Sequence, residues 1–465
     1  MKLHFHGAAR TTTGSLYLLE IGGKKLVLEC GLYQGKRAES VARNTGFPFD
    51  PATVNAVVLS HAHIDHSGNL PNLVKRGFSG DIVCTFATRD LASIMLVDSA
   101  NIQESDAEYV SRQLAKKGQP PVKPLYTVAD ADKALRQFLA VGYDRPMRVM
   151  DGVTVTFKDA GHILGSAQVI LDLEEGGRKL RFLFTGDLGR GNDPILRDPE
   201  PIDAVDVLQI ESTYGTREHE DKSDAAEKLL TMVVETLKNG GKVIVPAFSI
   251  GRTQQFVYGL HKAMIAKKVP PVPAFVDSPL SVNATEIHRL HPECFNEEVY
   301  RFLREVANPF EMENLTYVRD SGSSKRLNSL KGPAIIISAS GMAEAGRIRH
   351  HLVHGLGDPK NLVLFIGYCA HDTLGEALLA GKNPVMIFGE PVQVKARIAH
   401  ADYLSGHADR SELLDHVTKK LSGAIRRIFV IHGEENESLG LAEGLRGVKP
   451  DAEVLVPTRG QAVDL

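Results

Sequence analysis

The sequence predicts a mixed α/β protein in which one domain of strands and helices is interrupted by a second, α/β domain. Up to about residue 205, and again from about residue 385, β-branched apolar runs are joined by short turns, which is typical of mostly antiparallel sheet. Between these stretches strands alternate with helical segments, which favours a parallel sheet covered by helices. The length of 465 residues is sufficient for two or three domains.

The first stretch contains a hairpin and several further strands. Residues 16–30 predict the hairpin, because LYLLEI and KLVLEC are separated by Gly22-Gly23, a strong turn signal. The strand NAVVLS at 55–60 continues directly into a polar, histidine-rich loop. The later strands are predicted at DIVCT (81–85), VTVTFKDAG (153–161), AQVILDL (167–173) and KLRFLFTGD (179–187).

From about residue 206 the pattern changes to strands that alternate with helices. A helix predicted from about Ser223 repeats apolar residues at helical spacing and stops at Gly240-Gly241. Strands of this region are predicted at DVLQIES (206–212), KVIVPAF (242–248), PVPAFVD (271–277), PAIIISAS (333–340) and NLVLFIGY (361–368). The antiparallel sheet is predicted to resume at VQVKARIAHAD (392–402), RRIFVIHG (426–433) and EVLVPT (453–458).

Composition and charge exclude several classes of protein. With 54 Lys+Arg against 57 Asp+Glu the formal net charge is −3, so a basic coat that binds nucleic acid by charge alone is not predicted. A hydrophobic fraction of 43% is too high for a disordered chain. The four cysteines are widely spaced, which favours a reducing compartment over a disulfide scaffold. Because no signal pattern and no bilayer-spanning apolar run is found, we expect a cytoplasmic protein without membrane contact.

The densest group among the 18 histidines is the loop SHAHIDHSG at 60–68. It supplies His61, His63, Asp65 and His66 directly after a predicted strand. Imidazole and carboxylate ligands suit zinc or a related divalent metal, and a loop at a strand end can direct several of them to one place. The alternative is a polar loop with incidental histidines, which the density of the cluster makes a poor explanation.

Four more candidates lie at strand ends or in late loops. His162 follows the strand at 153–158, and Asp187 follows the strand at 180–186. Far downstream, His407 lies in LSGHADR and His432 ends an apolar strand in FVIHGEE. Alone, each residue of this kind is more often a turn or capping residue than a ligand, and it is the cluster at 61–66 that favours the metal interpretation.

Together these motifs resemble the metallo-β-lactamase superfamily and, more narrowly, the β-CASP RNA-processing nucleases. The superfamily pattern is HxHxDH at 61–66, followed by His162 and Asp187. The β-CASP branch is marked by an inserted domain and three later motifs, which match Glu211 in ESTYG, His407 in SGHAD and His432 in IHGE. Further matching stretches are PAFSIGRTQ (246–254), SASGMAEAGR (338–347) and GYCAHDTLGEALLAG (367–381). The resemblance is closest to bacterial and archaeal relatives of the nuclease subunit that cuts pre-mRNA at its 3′ end.

The resemblance implies a fold and a metal centre. The fold is a metallo-β-lactamase αββα sandwich, built from 1–205 and 386–465, with an inserted α/β β-CASP domain at 206–385. One zinc would take His61, His63 and His162, and a second would take Asp65, His66 and His432, with Asp187 as the bridge. Manganese is a possible replacement for zinc. The sequence departs from the family at Glu29, where Asp usually braces the metal-binding loop.

The resemblance also implies catalytic roles. Asp65 would ligate metal and orient the activated hydroxide, His407 would act as general acid, and Glu211 would orient His407. Without the ESTYG motif around it, Glu211 would be interpreted as an ordinary solvated carboxylate at a strand end. Residues Ser338, Ser340 and Gly341 stand at a strand-to-helix junction, and Arg252 at a helix start, where backbone N–H groups favour anions. They are weak candidates for contacts with the RNA backbone.

The function expected on this basis is a zinc-dependent endoribonuclease that cuts single-stranded RNA by a two-metal-activated hydroxide. The main alternative is a 5′-3′ exoribonuclease of the same family, similar to RNase J. DNA cleavage is disfavoured because DNA-acting members usually have Val in place of His432, and a small-molecule hydrolase is disfavoured by the large insertion. A noncatalytic RNA-binding scaffold is disfavoured because all seven ligand positions are filled. By analogy with relatives, we expect a homodimer.

Overall fold

The computed structural model describes residues 1–219, 222–306, 308–367, 369, 373–401 and 405–465. These residues form two compact units: unit 1 is Met1–Glu218 with His407–Leu465, and unit 2 is His219–Gly406. The strands are β1 (Lys2–Phe5), β2 (Tyr17–Ile21), β3 (Lys24–Leu28), β4 (Ala56–Val58), β5 (Asp81–Thr85), β6 (Phe138–Val141), β7 (Met147–Met150), β8 (Val153–Asp159), β9 (Ala167–Glu175), β10 (Arg178–Phe184), β11 (Val207–Glu211), β12 (Lys242–Pro246), β13 (Ala274–Val276), β14 (Leu315–Tyr317), β15 (Ala334–Ser338), β16 (Leu362–Phe365), β17 (Val385–Ile387), β18 (Glu390–Val392), β19 (Arg397–His400), β20 (Arg427–Ile431), β21 (Glu453–Leu455) and β22 (Ala462–Asp464).

The α-helices are α1 (Arg37–Thr45), α2 (Ile64–Ser67), α3 (Leu70–Lys75), α4 (Phe86–Ala115), α5 (Val128–Leu135), α6 (Lys222–Lys238), α7 (Arg252–Ile265), α8 (Pro279–Leu290), α9 (Glu297–Val306), α10 (Ser321–Asn328), α11 (Ile348–Gly355), α12 (Leu374–Leu379), α13 (Arg410–Asp415) and α14 (Glu435–Val448). Among the described residues, none of these helices combines the length and apolar character that crossing a bilayer requires.

Unit 1 contains two seven-stranded sheets that bury their inner faces against each other. The first sheet has the order β22-β1-β2-β3-β4-β5-β6, and the second has the order β21-β20-β11-β10-β9-β8-β7. Aromatic side chains from the two sheets meet in the core: the ring centroids of Phe5 and Phe429 lie 5.0 Å apart, and those of Tyr17 and Phe184 lie 5.7 Å apart. The alternation of inward apolar side chains along these strands therefore forms one core between two sheets.

Helices cover the outer faces of both sheets. On the first sheet, Leu70 and Leu73 of α3 belong to one buried cluster with Val57 of β4. On the second sheet, Leu441 of α14 packs in a cluster with Leu208 of β11. The helix–sheet–sheet–helix arrangement confirms the predicted αββα sandwich.

The predicted strand directions were wrong for part of unit 1. The β2–β3 hairpin is antiparallel, as expected. However, the strands from β3 to β6 in the first sheet pair in parallel, and so do β10, β11, β20 and β21 in the second sheet. The physical reason is that an apolar run specifies a buried strand and not its partner, whereas parallel neighbours are joined by long connections that local turn signals do not mark.

Unit 2 contains a six-stranded sheet of order β14-β13-β15-β12-β16-β19 in which every described pair is parallel, as predicted for the insertion. A short antiparallel hairpin, β17–β18, is separate from this sheet. The expectation of antiparallel sheet at 392–402 was wrong, since β19 adds in parallel to β16. Four residues of the 367–381 stretch, at 368 and 370–372, and residue 402 of the 392–402 stretch lie outside the described residues.

The unit bounds differ from the boundaries expected after 205 and 385. Strand β11 lies between β10 and β20 and so belongs to unit 1, which moves the first boundary beyond Glu211 to Glu218. Strand β19 belongs to unit 2, which moves the second boundary to Gly406. Both shifts arise because sheet pairing, which is a long-range property, decides the unit to which a strand at a domain boundary belongs.

Candidate metal centre

The carboxyl ends of parallel strands bring the chemically active side chains of the second sheet together. Strands β10, β11 and β20 are parallel neighbours, so Asp187, Glu211 and His432 all lie at the same edge of that sheet. Strand β8 is antiparallel to β9, and β9 to β10, so β8 runs in the direction of β10 and its following loop places His162 at this edge as well.

The first sheet supplies the remaining groups in the same way. Strands β3 and β4 are parallel, with Leu28 opposite Val58, so Glu29 after β3 lies beside the loop that begins at Ser60 after β4. That loop carries His61 and His63, and the short helix α2 then carries Asp65 and His66. The two sheets thus present their ligand-bearing loops to one buried centre.

The first ligand group contains His61, His63, His162 and Asp187, whose candidate ligand atoms all lie within 4.8 Å of one another. The Nδ1 atom of His63 lies 3.2 Å from His61 Nε2 and 3.2 Å from His162 Nε2. Asp187 Oδ2 lies 3.5 Å from His61 Nε2 and 3.7 Å from His162 Nε2. Three imidazoles and one carboxylate therefore face a common point, close enough together to bind a single ion.

The second group contains Asp65, His66 and His432, again within 4.8 Å. The Nε2 atoms of His66 and His432 lie 3.0 Å apart, and Asp65 Oδ2 lies 3.4 Å from His432 Nε2. Asp187 touches this group too, since its Oδ2 lies 3.3 Å from His66 Nε2 and its Oδ1 lies 3.4 Å from His432 Nδ1. Asp187 is thus the residue between the two groups.

The chemistry of these donors fits divalent metal. Two imidazole nitrogens that face each other at 3.0–3.2 Å can share one proton at most, so several lone pairs point at one another in a buried space. Asp187 Oδ1 is buried and has no hydrogen-bond partner among the described residues. Burial lowers the pKa of His63 to about 4, so its imidazole is held in the neutral form that binds metal. Burial opposes ionisation of Asp187, but the surrounding imidazoles outweigh it and hold the pKa of this carboxyl well below its usual value.

Glu29 fixes the orientation of the loop that carries the histidines. Its fully buried carboxylate accepts hydrogen bonds from Ser60 N at 2.6 Å, Ser60 Oγ at 3.1 Å and His66 Nδ1 at 2.6 Å. Because Nδ1 of His66 donates to Glu29, its Nε2 is the atom left to face Asp187 and His432. Glu29 has a φ of 62°, a left-handed conformation that is uncommon for non-glycine residues. The longer side chain in place of the family's Asp thus still braces the loop.

His407 and Glu211 form a pair at the margin of the centre. Glu211 is fully buried; its Oε1 accepts from Leu188 N at 2.7 Å and lies 3.2 Å from His407 Nδ1. The His407 side chain is 22% exposed, and its Nδ1 lies 3.9 Å from Asp187 Oδ2. Burial disfavours the charged imidazolium, but the carboxylate of Glu211 and its hydrogen bond outweigh burial and raise the pKa of His407. This arrangement can hold a proton at the edge of the metal centre.

The sequence did not single out three residues that shape the site. Ser60 links Glu29 to His61, whose Nδ1 lies 3.0 Å from Ser60 Oγ. Thr213 Oγ1 donates to the backbone oxygen of His432 at 3.2 Å. Gly31 packs so closely on the metal-binding loop that a Cβ atom there would lie 1.6 Å from the backbone oxygen of Asp65. The adjacency of Ser60 to the histidine cluster was the one available signal, since the other two contacts depend on the fold.

The weak RNA-contact candidates all lie in unit 2. Ser338 ends β15, and its buried hydroxyl donates to the backbone oxygen of Asp277 at 2.8 Å, so its side chain serves the fold. Ser340 Oγ accepts from Glu344 N at 3.1 Å, and Gly341 lies against Phe248. Arg252 begins α7, where its guanidinium donates to Gln255. Gly341 and Arg252 follow the neighbouring strands β15 and β12 and so share one end of the parallel sheet.

A buried two-group His/Asp centre at the edge of an αββα sandwich defines a metallo-hydrolase fold, here with an α/β insertion. Family models match three consecutive stretches: the metallo-beta-lactamase superfamily over residues 10–238, the Beta-Casp domain over 253–378, and the Zn-dependent metallo-hydrolase RNA specificity domain over 391–457.

Two relatives match almost end to end. Ribonuclease TTHA0252 of Thermus thermophilus is 34% identical, covering 100% of this chain and 98% of the relative. An RNase J-like protein of Methanocaldococcus jannaschii is 30% identical, covering 95% and 94%. A solved structure of a protein of unknown function from Enterococcus faecalis V583 shares the fold, with a TM-score of 0.55 at 13% identity over 100% of this chain and 99% of that one. The chain belongs to the β-CASP nuclease family of the metallo-β-lactamase superfamily and is a hydrolytic nuclease.

Proposed function

We propose that this chain is a zinc-dependent endoribonuclease that hydrolyses phosphodiester bonds of single-stranded RNA. The observation that carries the proposal is the pair of ligand groups in unit 1 that meet at Asp187, with the His407–Glu211 pair beside them. The name of the Thermus thermophilus relative and the match to an RNA specificity domain support RNA as the substrate.

Seven side chains are proposed to hold two metal ions. His61, His63 and His162 would hold one ion, Asp65, His66 and His432 would hold the other, and Asp187 would contact both. Five imidazoles with two carboxylates form a donor set that suits zinc, with manganese as the alternative. Two such ions, when bound, supply a water nucleophile at neutral pH and neutralise charge on the phosphate.

His407 is proposed to deliver the proton that the leaving oxygen needs. Its Nδ1 faces Glu211, so the opposite ring nitrogen is the atom that would pass the proton. The carboxylate of Glu211 raises the pKa of His407 and so favours the protonated imidazole, which is the state a general acid requires. Glu211 acts through His407, whose Nδ1 faces its Oε1. The carboxylate is held in place by backbone N–H groups on both oxygens, since Oε1 accepts from Leu188 N and Oε2 accepts from Thr213 N at 3.2 Å.

The ligand assignment is tested by metal content. We expect His63→Ala to lose metal and cleavage together, and His407→Ala to keep its metal but lose most turnover. The control is His4→Ala, which removes a histidine that pairs with Glu20 and belongs to none of the candidate ligand groups of the described residues. Retention of full metal content in His63→Ala, measured by elemental analysis, contradicts the assignment, whereas metal loss in His407→Ala would make that residue a ligand. Zinc is distinguished from manganese by chelation followed by restoring activity with each ion separately.

The reaction itself is tested with single-stranded RNA and DNA labelled at either the 5′ or the 3′ end. Internal cuts in RNA alone support the proposal. A relative named RNase J-like favours the 5′-3′ exoribonuclease as second candidate, and release of mononucleotides from the 5′ end is the result that would replace the leading proposal. If the metal-loaded protein binds RNA but does not cleave it, the noncatalytic RNA-binding scaffold would be the remaining interpretation.

Compartment and assembly complete the proposal. The cysteines Cys30, Cys84, Cys294 and Cys369 are free thiols, which supports a reducing, cytoplasmic location. The homodimer expected from the resemblance stays a prediction, for which light scattering of the purified protein is the measurement.

A further inference from the structure

The β17–β18 hairpin of unit 2 ends in an exposed aromatic residue in a disfavoured conformation. Ile387 pairs with Glu390, so the turn consists of Phe388 and Gly389, with φ values of 56° and 84°. Two-residue turns with both φ values positive strongly prefer Asn, Asp or Gly at the first position, and a bulky side chain there is strained. Phe388 is nevertheless 50% exposed, so burial in the core does not explain its presence.

The hairpin holds Phe388 in a fixed place. Val385 and Ile387 are buried in one cluster with Ile348 and Leu352 of α11. At the base, the side chain of Asn383 bridges the two strands, donating to Val394 O at 2.9 Å and accepting from Val394 N at 3.0 Å. The hairpin therefore packs against α11 and is closed at its base, and residues held in rarely populated conformations cluster at functional sites.

Arg349 and His350 lie against this aromatic tip. The Arg349 guanidinium carbon lies 4.4 Å from the centroid of the Phe388 ring, and the His350 ring lies 4.6 Å from it at an interplanar angle of 34°. No carboxylate among the described residues forms an ion pair with Arg349; its guanidinium donates to the backbone oxygen of Glu344 at 3.4 Å. Burial lowers the pKa of His350, and the neighbouring His351, His354, Arg349 and Lys325 lower it further.

The sequence around the hairpin carries more positive than negative side chains. Helix α11 contains no acidic residue, and between 382 and 397 Glu390 is the single acid against Lys382, Lys395 and Arg397. Arg397 is paired with Glu235 at 3.3 Å, whereas Arg349 has no carboxylate partner among the described residues. An exposed aromatic ring beside such a cation is the combination by which proteins bind single-stranded nucleic acid, with bases stacked on rings and phosphates on cations. A protein partner would be matched by a larger apolar surface with few charges at its centre.

We propose that the β17–β18 tip is an auxiliary contact for single-stranded RNA, in which a base stacks on Phe388 and Arg349 binds a backbone phosphate. This site lies in unit 2 and is distinct from the metal centre in unit 1. It rests on the proposed function only in taking RNA as the ligand. The contact adds affinity for long RNA without taking part in bond cleavage.

The test measures binding of a fluorescent oligoadenylate of about 20 nucleotides to metal-depleted protein by anisotropy. The central variant is Phe388→Asn, because Asn-Gly suits this turn and the hairpin should keep or gain stability, as thermal unfolding will show. We expect its Kd to rise roughly 5- to 100-fold, the effect of losing one stacked base. Phe388→Tyr keeps an aromatic ring at this position and should bind RNA as the unaltered chain does. The control Tyr109→Ala removes a 61% exposed aromatic of α4 in unit 1 and should leave Kd unchanged.

Arg349→Gln provides an independent measurement. If Arg349 binds a phosphate, the slope of log K against log salt concentration should fall by about 0.7 in this variant. The proposal is overturned if Phe388→Asn binds RNA with unchanged affinity. It is also overturned if this variant loses self-association and keeps its RNA affinity. Hydrolysis of a small phosphodiester should be unaffected by Phe388→Asn. If the chain proves not to cleave RNA while Phe388→Asn still loses RNA binding, the proposed function fails and this inference stands.

Discussion

Replacing Glu29 by Gln tests whether the brace on the metal-binding loop controls metal affinity. Gln keeps the length of the side chain, and its amide oxygen can still accept from Ser60 N, which lies 2.6 Å from Glu29 Oε1. The amide nitrogen must then take the place of Oε2, 2.6 Å from His66 Nδ1. Because this nitrogen is a donor, His66 Nδ1 becomes the acceptor and the ring proton moves to Nε2, the atom proposed to bind metal.

The size of the effect follows from this change of tautomer. Loss of a partner that orients a metal-binding histidine typically costs 10- to 100-fold in metal affinity, which corresponds to about 1.4–2.7 kcal/mol. We expect the ion held by Asp65, His66 and His432 to be affected most, since His66 Nδ1 contacts Glu29 directly at 2.6 Å, whereas His61 Nδ1 is connected to it through the Ser60 hydroxyl. One of the two metal equivalents should therefore weaken more than the other.

The assay is a competition titration with a chromophoric chelator, read together with the ribonuclease rate. The matched control is Glu20→Gln, which makes the same substitution in another Glu–His pair, where Glu20 Oε2 lies 3.2 Å from His4 Nε2. Glu20→Gln should bind both ions as the unaltered chain does. If Glu29→Gln also binds both ions with unaltered affinity, the argument that Glu29 selects the tautomer of His66 is refuted.

Three further changes test other parts of unit 1. Glu211→Gln removes the charge that raises the pKa of His407, so the imidazole should lose its proton at lower pH and the alkaline limb of the kcat profile should move to lower pH, with metal content unchanged. Gln209→Met should raise the free energy of unfolding by about 1–2 kcal/mol in urea titrations, because the amide of Gln209 is buried with no partner among the described residues; a lower midpoint would contradict this. Gly31→Ala places a Cβ against a backbone carbonyl of the metal-binding loop and should lose most of the bound metal, whereas Gly46→Ala, with open space around it, should not.

The positions of the ligands were predictable from sequence because each one follows a strand. Apolar runs identified β4, β8, β10 and β20, and the polar residue after each run marked the loop that carries the ligand. The motif order then supplied the grouping, and the structure brings together the same residues that the resemblance assigned to each ion. Their assignment as metal ligands stays a proposal until metal is measured.

The strand directions could not be obtained in this way. Gly22-Gly23 identifies the β2–β3 hairpin through a local turn, but nothing in the run at 426–433 states that β20 lies between β11 and β21. Close packing is equally non-local, as at Gly31, where the need for glycine comes from a loop more than thirty positions away. The contacts that depend on pairing across the whole chain are therefore those that the sequence left undetermined.

The interruption of unit 1 by unit 2 bears directly on the proposed acid. The chain leaves unit 1 after Glu218 and returns at His407, so the returning segment begins with the residue that pairs with Glu211. The departing and returning segments are tied together, since Arg410 N donates to Arg217 O at 3.0 Å and Ser411 Oγ donates to Glu218 Oε1 at 2.8 Å. Exit and re-entry at adjacent points explain how an insertion of this size leaves the sandwich intact.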